Sequence, residues 1–167
     1  MTQVCIGIRS SHSAESSIRK AIALLGQLFS AIEVSPVYRA PLSAEEDETA
    51  TALSMAMGGD TDKAPDEVVA FLREVESALD SPAATEATEI PIELSLLLYG
   101  NRVLTIGDVE VPSPRIEDLV GLLVPLTDLV SDQCHPLSDR PFLAMRDELL
   151  ARDTRQAGQL DEVPFAF

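Results

Sequence analysis

A chain of 167 residues with 46% hydrophobic content can bury one core and falls within the size range of a single domain. Its 28 acidic and 12 basic residues give a formal net charge of −16, which argues against nucleic acid or an anionic membrane surface as a partner. The same charge opposes a polyanionic ligand unless the few basic residues gather at one site.

Residues 4–8 predict a short apolar strand. Ser11 or Ser13 can cap a helix in which Ile18, Ile22, Leu25 and Phe29 recur at helical spacing. β-Branched Ile32 and Val34 mark a second strand over 31–38, where Pro36 predicts a sheet edge or a bulge. The acidic residues Glu45, Glu46, Asp47 and Glu48 read as a solvated loop over 43–49. A third strand, 51–57, is expected to end at Gly58-Gly59. Pro65 then opens a second helix, with Asp66 and Glu67 at its positive end and Val68, Leu72, Val75 and Leu79 on one face. Residues 81–89, rich in Ala, Thr, Ser, Pro and Glu, are expected to be a loop.

Residues 92–99 alternate and then become continuously apolar, as a buried strand does. Gly100-Asn101 is expected to turn the chain into a hairpin partner over 102–106. Ser113-Pro114 starts a helix, and the apolar region 119–130 should pack on the sheet. A terminal helix over 139–152 carries Leu143, Met145, Leu149 and Leu150, followed by a loose polar tail, 153–167. The element order βαββαββαα predicts an α+β domain over 1–152 with a mainly antiparallel sheet.

No apolar stretch approaches the roughly 20 residues of a bilayer span. Met1–Cys5 has no basic flank leading into a long apolar run, so the expected location is the cytoplasm. Neither cysteine belongs to a C-x-x-C pair; Cys5 reads as a small buried strand residue. Cys134 and His135, as neighbours on an extended chain, point to opposite faces, and both read as structural. His12 has no visible partner.

The stretch Pro91-Ile-Glu-Leu-Ser-Leu-Leu-Leu-Tyr-Gly-Asn101, with Val111-Pro-Ser-Pro-Arg115 and Leu123-Val-Pro-Leu126 after it, resembles 6-hydroxymethyl-7,8-dihydropterin pyrophosphokinase (HPPK). Further matches are Ile6-Gly7-Ile8, Ser35-Pro-Val-Tyr-Arg-Ala-Pro41 and His135-Pro136, in the family's order over residues 3–150. The family moves the diphosphate of ATP onto a pterin alcohol in the folate pathway. The resemblance implies a ferredoxin-like α/β/α fold.

The resemblance also sets expectations for the site. The family's strand carries Asp-Leu-Asp, whose two carboxylates hold two magnesium ions on the phosphates; this chain has Glu93-Leu94-Ser95, a degenerate acid pair in which Glu93 is the one candidate metal ligand. The family's cation-rich loop ends in Arg-Trp-Gly-Pro-Arg, against Glu86-Ala87-Thr88-Glu89-Ile90 here, and no Lys or Arg occurs from Glu74 to Asn101. By the same carry-over Ser113 stands for a nucleotide-contacting His, with Arg115 close by, and Leu119 for an Arg. Pro41, Leu42 and Ser54 fall in the substrate pocket, with Ser54 at the position of an Asn that reads the pterin edge. Gly121 and about Ala52 replace the two stacking aromatics. Arg9-Ser10-Ser11 stands where the family has Gly-Ser-Asn.

The expectation is therefore a family member with an intact scaffold and a stripped site, acting through a binding surface or an altered ligand pocket. It has no resident cofactor, binds pterin and nucleotide poorly, and engages a protein partner or itself. The alternative is an active pyrophosphokinase using magnesium on Glu93, helped by Glu89 or an acid of the 43–49 loop, with Arg9 and Arg115 supplying the lost positive charge. A third course is a pocket for another cyclic metabolite.

Overall fold

Alternation in the first strand decides how the layers form. In β1 (Thr2–Ser10), Val4, Ile6 and Ile8 point to one apolar cluster, while Cys5 joins another. A computed structural model describes residues 1–11, 14–45, 50–79 and 91–166 of the chain. The remaining elements in order are α1 (Ala14–Leu25), β2 (Ser30–Val34), β3 (Val37–Pro41), β4 (Thr51–Thr61), α2 (Pro65–Leu79), β5 (Glu93–Tyr99), β6 (Leu104–Ile106) and β7 (Val109–Val111). A 3-10 turn, Pro114–Glu117, leads to α3 (Val120–Leu129), α4 (Phe142–Arg152), α5 (Thr154–Gln159) and β8 (Asp161–Val163).

The main sheet runs β5-β1-β4-β3-β8, with β2 also beside β4, and all its pairings are antiparallel. Ile18, Ala21 and Leu25 of α1 and Val68, Leu72 and Val75 of α2 pack with Ile6 and Ile8 on one face. Leu122, Leu123 and Leu126 of α3, with Phe142, Met145 and Leu149 of α4, cover Ala40 and Leu97 on the other. This is the α/β/α, mainly antiparallel arrangement that the resemblance implied. Among the described residues no helix is long and apolar enough to cross a membrane.

Four local expectations are corrected. Pro36 splits the second strand into β2 and β3, because it has no N–H to give a ladder. Ser35 repairs the gap: its N–H donates to Ala56 O at 2.9 Å, and its hydroxyl accepts from Ala56 N at 2.9 Å. β4 does not stop at Gly58-Gly59 but runs to Thr61. A Cβ on Gly59 would stand 2.9 Å from the Phe29 Cβ, so the glycine makes room for the α1–β2 connection.

Residues 102–106 do not pair with β5. The N–H of Arg102 donates to Tyr99 O, and the chain turns away so that β6 pairs with β7 in a separate ribbon. Leu104, Ile106 and Val109 then pack against the α2-side core, which rewards that course.

The segment after Arg152, expected to be loose, is folded. β8 pairs with β3, whose outer edge would otherwise be open. Buried Gln156 accepts from Val120 N at 3.1 Å and donates to Asp118 O at 2.7 Å, serving the start of α3 and the end of the turn before it. Polarity in this tail reflects capping and edge pairing.

Candidate functional site

Strand register assembles a polar row on the α3 face of the sheet. Glu93 of β5 lies opposite Arg9 of β1, Arg9 opposite Ser54 of β4, and Ser54 opposite Tyr38 of β3. Directly opposed residues of antiparallel strands share a face, so four residues far apart in sequence form one line.

Glu93 is the centre of charge. Nη2 of Arg9 sits 3.4 Å from each of its carboxylate oxygens, and Nη1 of Arg115 donates to Oε1 at 2.6 Å. Arg9 is only 3% exposed, whereas the Arg115 side chain is 45% exposed. Burial pushes the Glu93 carboxyl upward, but Arg9 and then Arg115 outweigh it and hold it below the ordinary carboxylate range. Burial pulls Arg9 down, opposed by Glu93. Arg9 Nη1 donates to Leu42 O at 3.0 Å. Arg9 Nε and Ser54 Oγ are buried and have no partner among the described residues.

Ser95, two residues beyond Glu93 on the same strand, lines an adjoining cleft that Arg115 shares. A cavity of about 350 Å³ opens between α2, β5, β7 and the 3-10 turn, with Val69, Leu72, Leu94 and Leu96 among its apolar lining. Ser95, Ser113 and Arg115 reach it together, so three of the residues chosen from sequence share one site. The N–H of Ser113 donates to Leu97 O at 3.1 Å, which fixes the turn that presents Arg115. Arg115 meets Glu93, while Asp118 faces Arg152 at 3.9 Å.

The cleft is poor in spare positive charge. Glu76, Asp108 and Glu110 line it against Arg73 and Arg115; Arg73 is paired with Asp108 at 2.7 Å and Arg115 with Glu93. Glu76 accepts from Leu94 N at 3.2 Å at the edge of β5, and burial pushes its carboxyl upward.

Pro41, Leu42 and Ser54 lie on the opposite side of Arg9 from this cleft. Pro41 is buried at the end of β3, Leu42 is held through its carbonyl, and Ser54 is fully buried under α3. A Cβ on Gly121 would stand 3.1 Å from Ser54 Oγ and 3.2 Å from the Ala40 Cβ. Ala52 is paired with Ala40, so the positions of the family's stacking rings both abut the same small residue. Helix α3 rests directly on the sheet there.

A magnesium ion needs oxygen ligands in near-octahedral array. Here Glu93 stands between two guanidinium groups, Ser95 is neutral, and among the described residues no three His, Cys, Asp or Glu side chains gather as a metal site. The residues present do not fit the family's metal. His12, Glu89 and the 86–90 stretch lie outside the described residues, as do 46–49 of the acidic loop. Burial and then Glu33 push the Cys5 thiol up to about 12, which leaves it an inert core residue. His135 accepts from Leu137 N and Ser138 N at 3.2 Å through Nδ1 and packs against Phe142, a turn-forming role.

Comparison with known proteins agrees with this fold. The fold matches a Plasmodium falciparum HPPK-DHPS crystallised with SDX-DHP, with a TM-score of 0.72 and 8% identity, over 97% of this chain and 47% of that one. An HPPK-DHPS in complex with substrates matches with a TM-score of 0.74 and 8% identity, over 96% of this chain and 46% of that one. The P. falciparum wild-type enzyme with pteroate gives a TM-score of 0.74 and 7% identity, over 96% and 45%. This chain thus spans about half the length of those proteins. No curated protein matches it. A family profile described as 7,8-dihydro-6-hydroxymethylpterin-pyrophosphokinase matches residues 5–131, across the strands that carry the polar row. With that match over most of its length and the fold to go with it, the chain belongs to the HPPK family.

Proposed function

We propose that this chain is a family member that does not transfer diphosphate at a useful rate and acts instead as a cytoplasmic binding protein of the pterin and folate pathway. One observation carries the proposal: Glu93, the carboxylate left from the family's metal pair, is held between Arg9 and Arg115. Phosphoryl transfer needs cations aimed at the charge that develops on the phosphates, and losing even one such donor costs about 3–4 kcal/mol of transition-state stabilisation. Among the described residues the cleft offers two arginines, both already paired with carboxylates. Close packing of Gly121 on Ala40 and Ser54 supports the same reading for the pterin side.

The occupant we favour is a protein. The solved structures it resembles are HPPK-DHPS proteins of about twice this length, and a protein of the same pathway is the partner we favour. Calorimetry with magnesium and a non-hydrolysable ATP analogue tests the loss of the nucleotide site. No heat at millimolar nucleotide is expected; a saturable signal would restore the reading as a working pyrophosphokinase.

The cleft supports a narrower second reading, a pocket for a small cyclic ligand. Its apolar residues and its excess of carboxylates suit a neutral or cationic ring better than a polyphosphate. A thermal-shift screen of pterins and nucleosides tests this, and stabilisation by none of them would remove it.

A further inference from the structure

The mismatch with magnesium has a specific cause. Arg9 stands opposite Glu93 on the neighbouring strand, and its guanidinium reaches both carboxylate oxygens at 3.4 Å. A guanidinium carries no lone pair for a metal, so each oxygen it engages faces a donor where an ion would need open space. Arg115 adds a second positive charge at 2.6 Å. Two arginines on one carboxylate leave the site with a local charge of about +1 before any ion arrives, so a divalent cation meets net repulsion in a partly buried setting. Arg9 also holds Leu42 O at 3.0 Å, which ties the end of β3 to the same point.

We propose that Arg9 is a resident cation: its buried guanidinium takes the place of the divalent ion beside Glu93 and fixes the Leu42 segment against the sheet, making this site permanently metal-free. The idea rests on the reading of the chain as a non-catalytic member, but it concerns Arg9 itself. Loss of the second carboxylate at Ser95 is then not the only barrier to metal. With Arg9 present, restoring that carboxylate is not enough.

The test is Mn²⁺ binding to the full chain, read from the electron paramagnetic resonance signal of the free ion. The native protein and Ser95→Asp are both expected to leave that signal unchanged at millimolar Mn²⁺. Ser95→Asp combined with Arg9→Gly is expected to bind at least about tenfold more tightly than Ser95→Asp alone, because the competing charge is gone. Circular dichroism and the melting temperature establish that each variant is folded. Tight binding by Ser95→Asp alone would overturn the proposal, even if the double variant failed to fold. Native binding that Glu93→Gln abolishes would overturn it too, as would a folded double variant that binds no better than Ser95→Asp.

The functional reading fails separately. Turnover without Mn²⁺ binding at Glu93 would sink that reading and leave the resident cation standing. Mn²⁺ bound at Glu93 without turnover would do the reverse.

Discussion

Arg9 and Arg115 hold the same carboxylate from opposite surroundings. Arg115 makes the shorter contact, 2.6 Å against 3.4 Å, yet it lies in the open cleft, while Arg9 is buried in the closed side beneath α3. Distance does not rank the two. An exposed ion pair is screened by water and contributes about 0–1 kcal/mol, whereas removing one partner of a buried pair strands the other charge at a cost of about 3–5 kcal/mol. The closed side is thus where the sequence departs most consequentially from a catalytic plan, and the cleft is where departures are cheap.

Substitutions can break that contrast. Glu93→Ala leaves Arg9 buried with, among the described residues, the Leu42 carbonyl as its remaining partner, and urea denaturation should report a loss of about 3–5 kcal/mol. Gly121→Phe restores a ring where the family stacks one, but α3 lies against Ala40 and Ser54, so overpacking should cost about 1–3 kcal/mol. If Gly121→Phe is neutral and gains pterin affinity, the closed side is less closed than its packing implies.

The charge on Glu93 also gives the stability a pH dependence. The folded Glu93 carboxyl is held below its ordinary value, so the stability it contributes is present above that value and is lost as pH falls through the folded one. Melting temperatures below the ordinary carboxylate range should therefore drop more steeply in the native chain than in Glu93→Gln. Equal slopes would show that the two arginines do not set the charge of Glu93. Arg115→Ala comes last: its pair is half-exposed, and a change under about 1 kcal/mol is expected by urea denaturation.

Much of the scaffold could be read from the chain because its signals are local. The helices over Ile18–Leu25 and Val68–Val75 follow from spacing, and Leu94–Tyr99 from an apolar run. What escaped depends on contacts between distant segments. The Ser35 hydroxyl bridging the break at Pro36 and the course of 102–106 away from β5 are not encoded by propensity. The docked tail is similar: Gln156 looks like a polar surface residue until α3 is placed beside it.

The candidate site divides in the same way. Ser95, Ser113 and Arg115, each singled out from the family pattern, line one cleft, but the clamp on Glu93 needed the β1–β5 register. Arg9 could be suspected as a substitute cation from its place in the motif. That it is buried, and that it also holds Leu42, follows only from three-dimensional packing.

We propose that the carboxylate held by two arginines no longer serves diphosphate transfer. A coupled assay with the full chain, millimolar magnesium and ATP, and 6-hydroxymethyl-7,8-dihydropterin tests it most directly. No AMP or pterin diphosphate is expected to form above a protein-free control. Steady turnover that scales with enzyme concentration and is abolished by Glu93→Gln would contradict it.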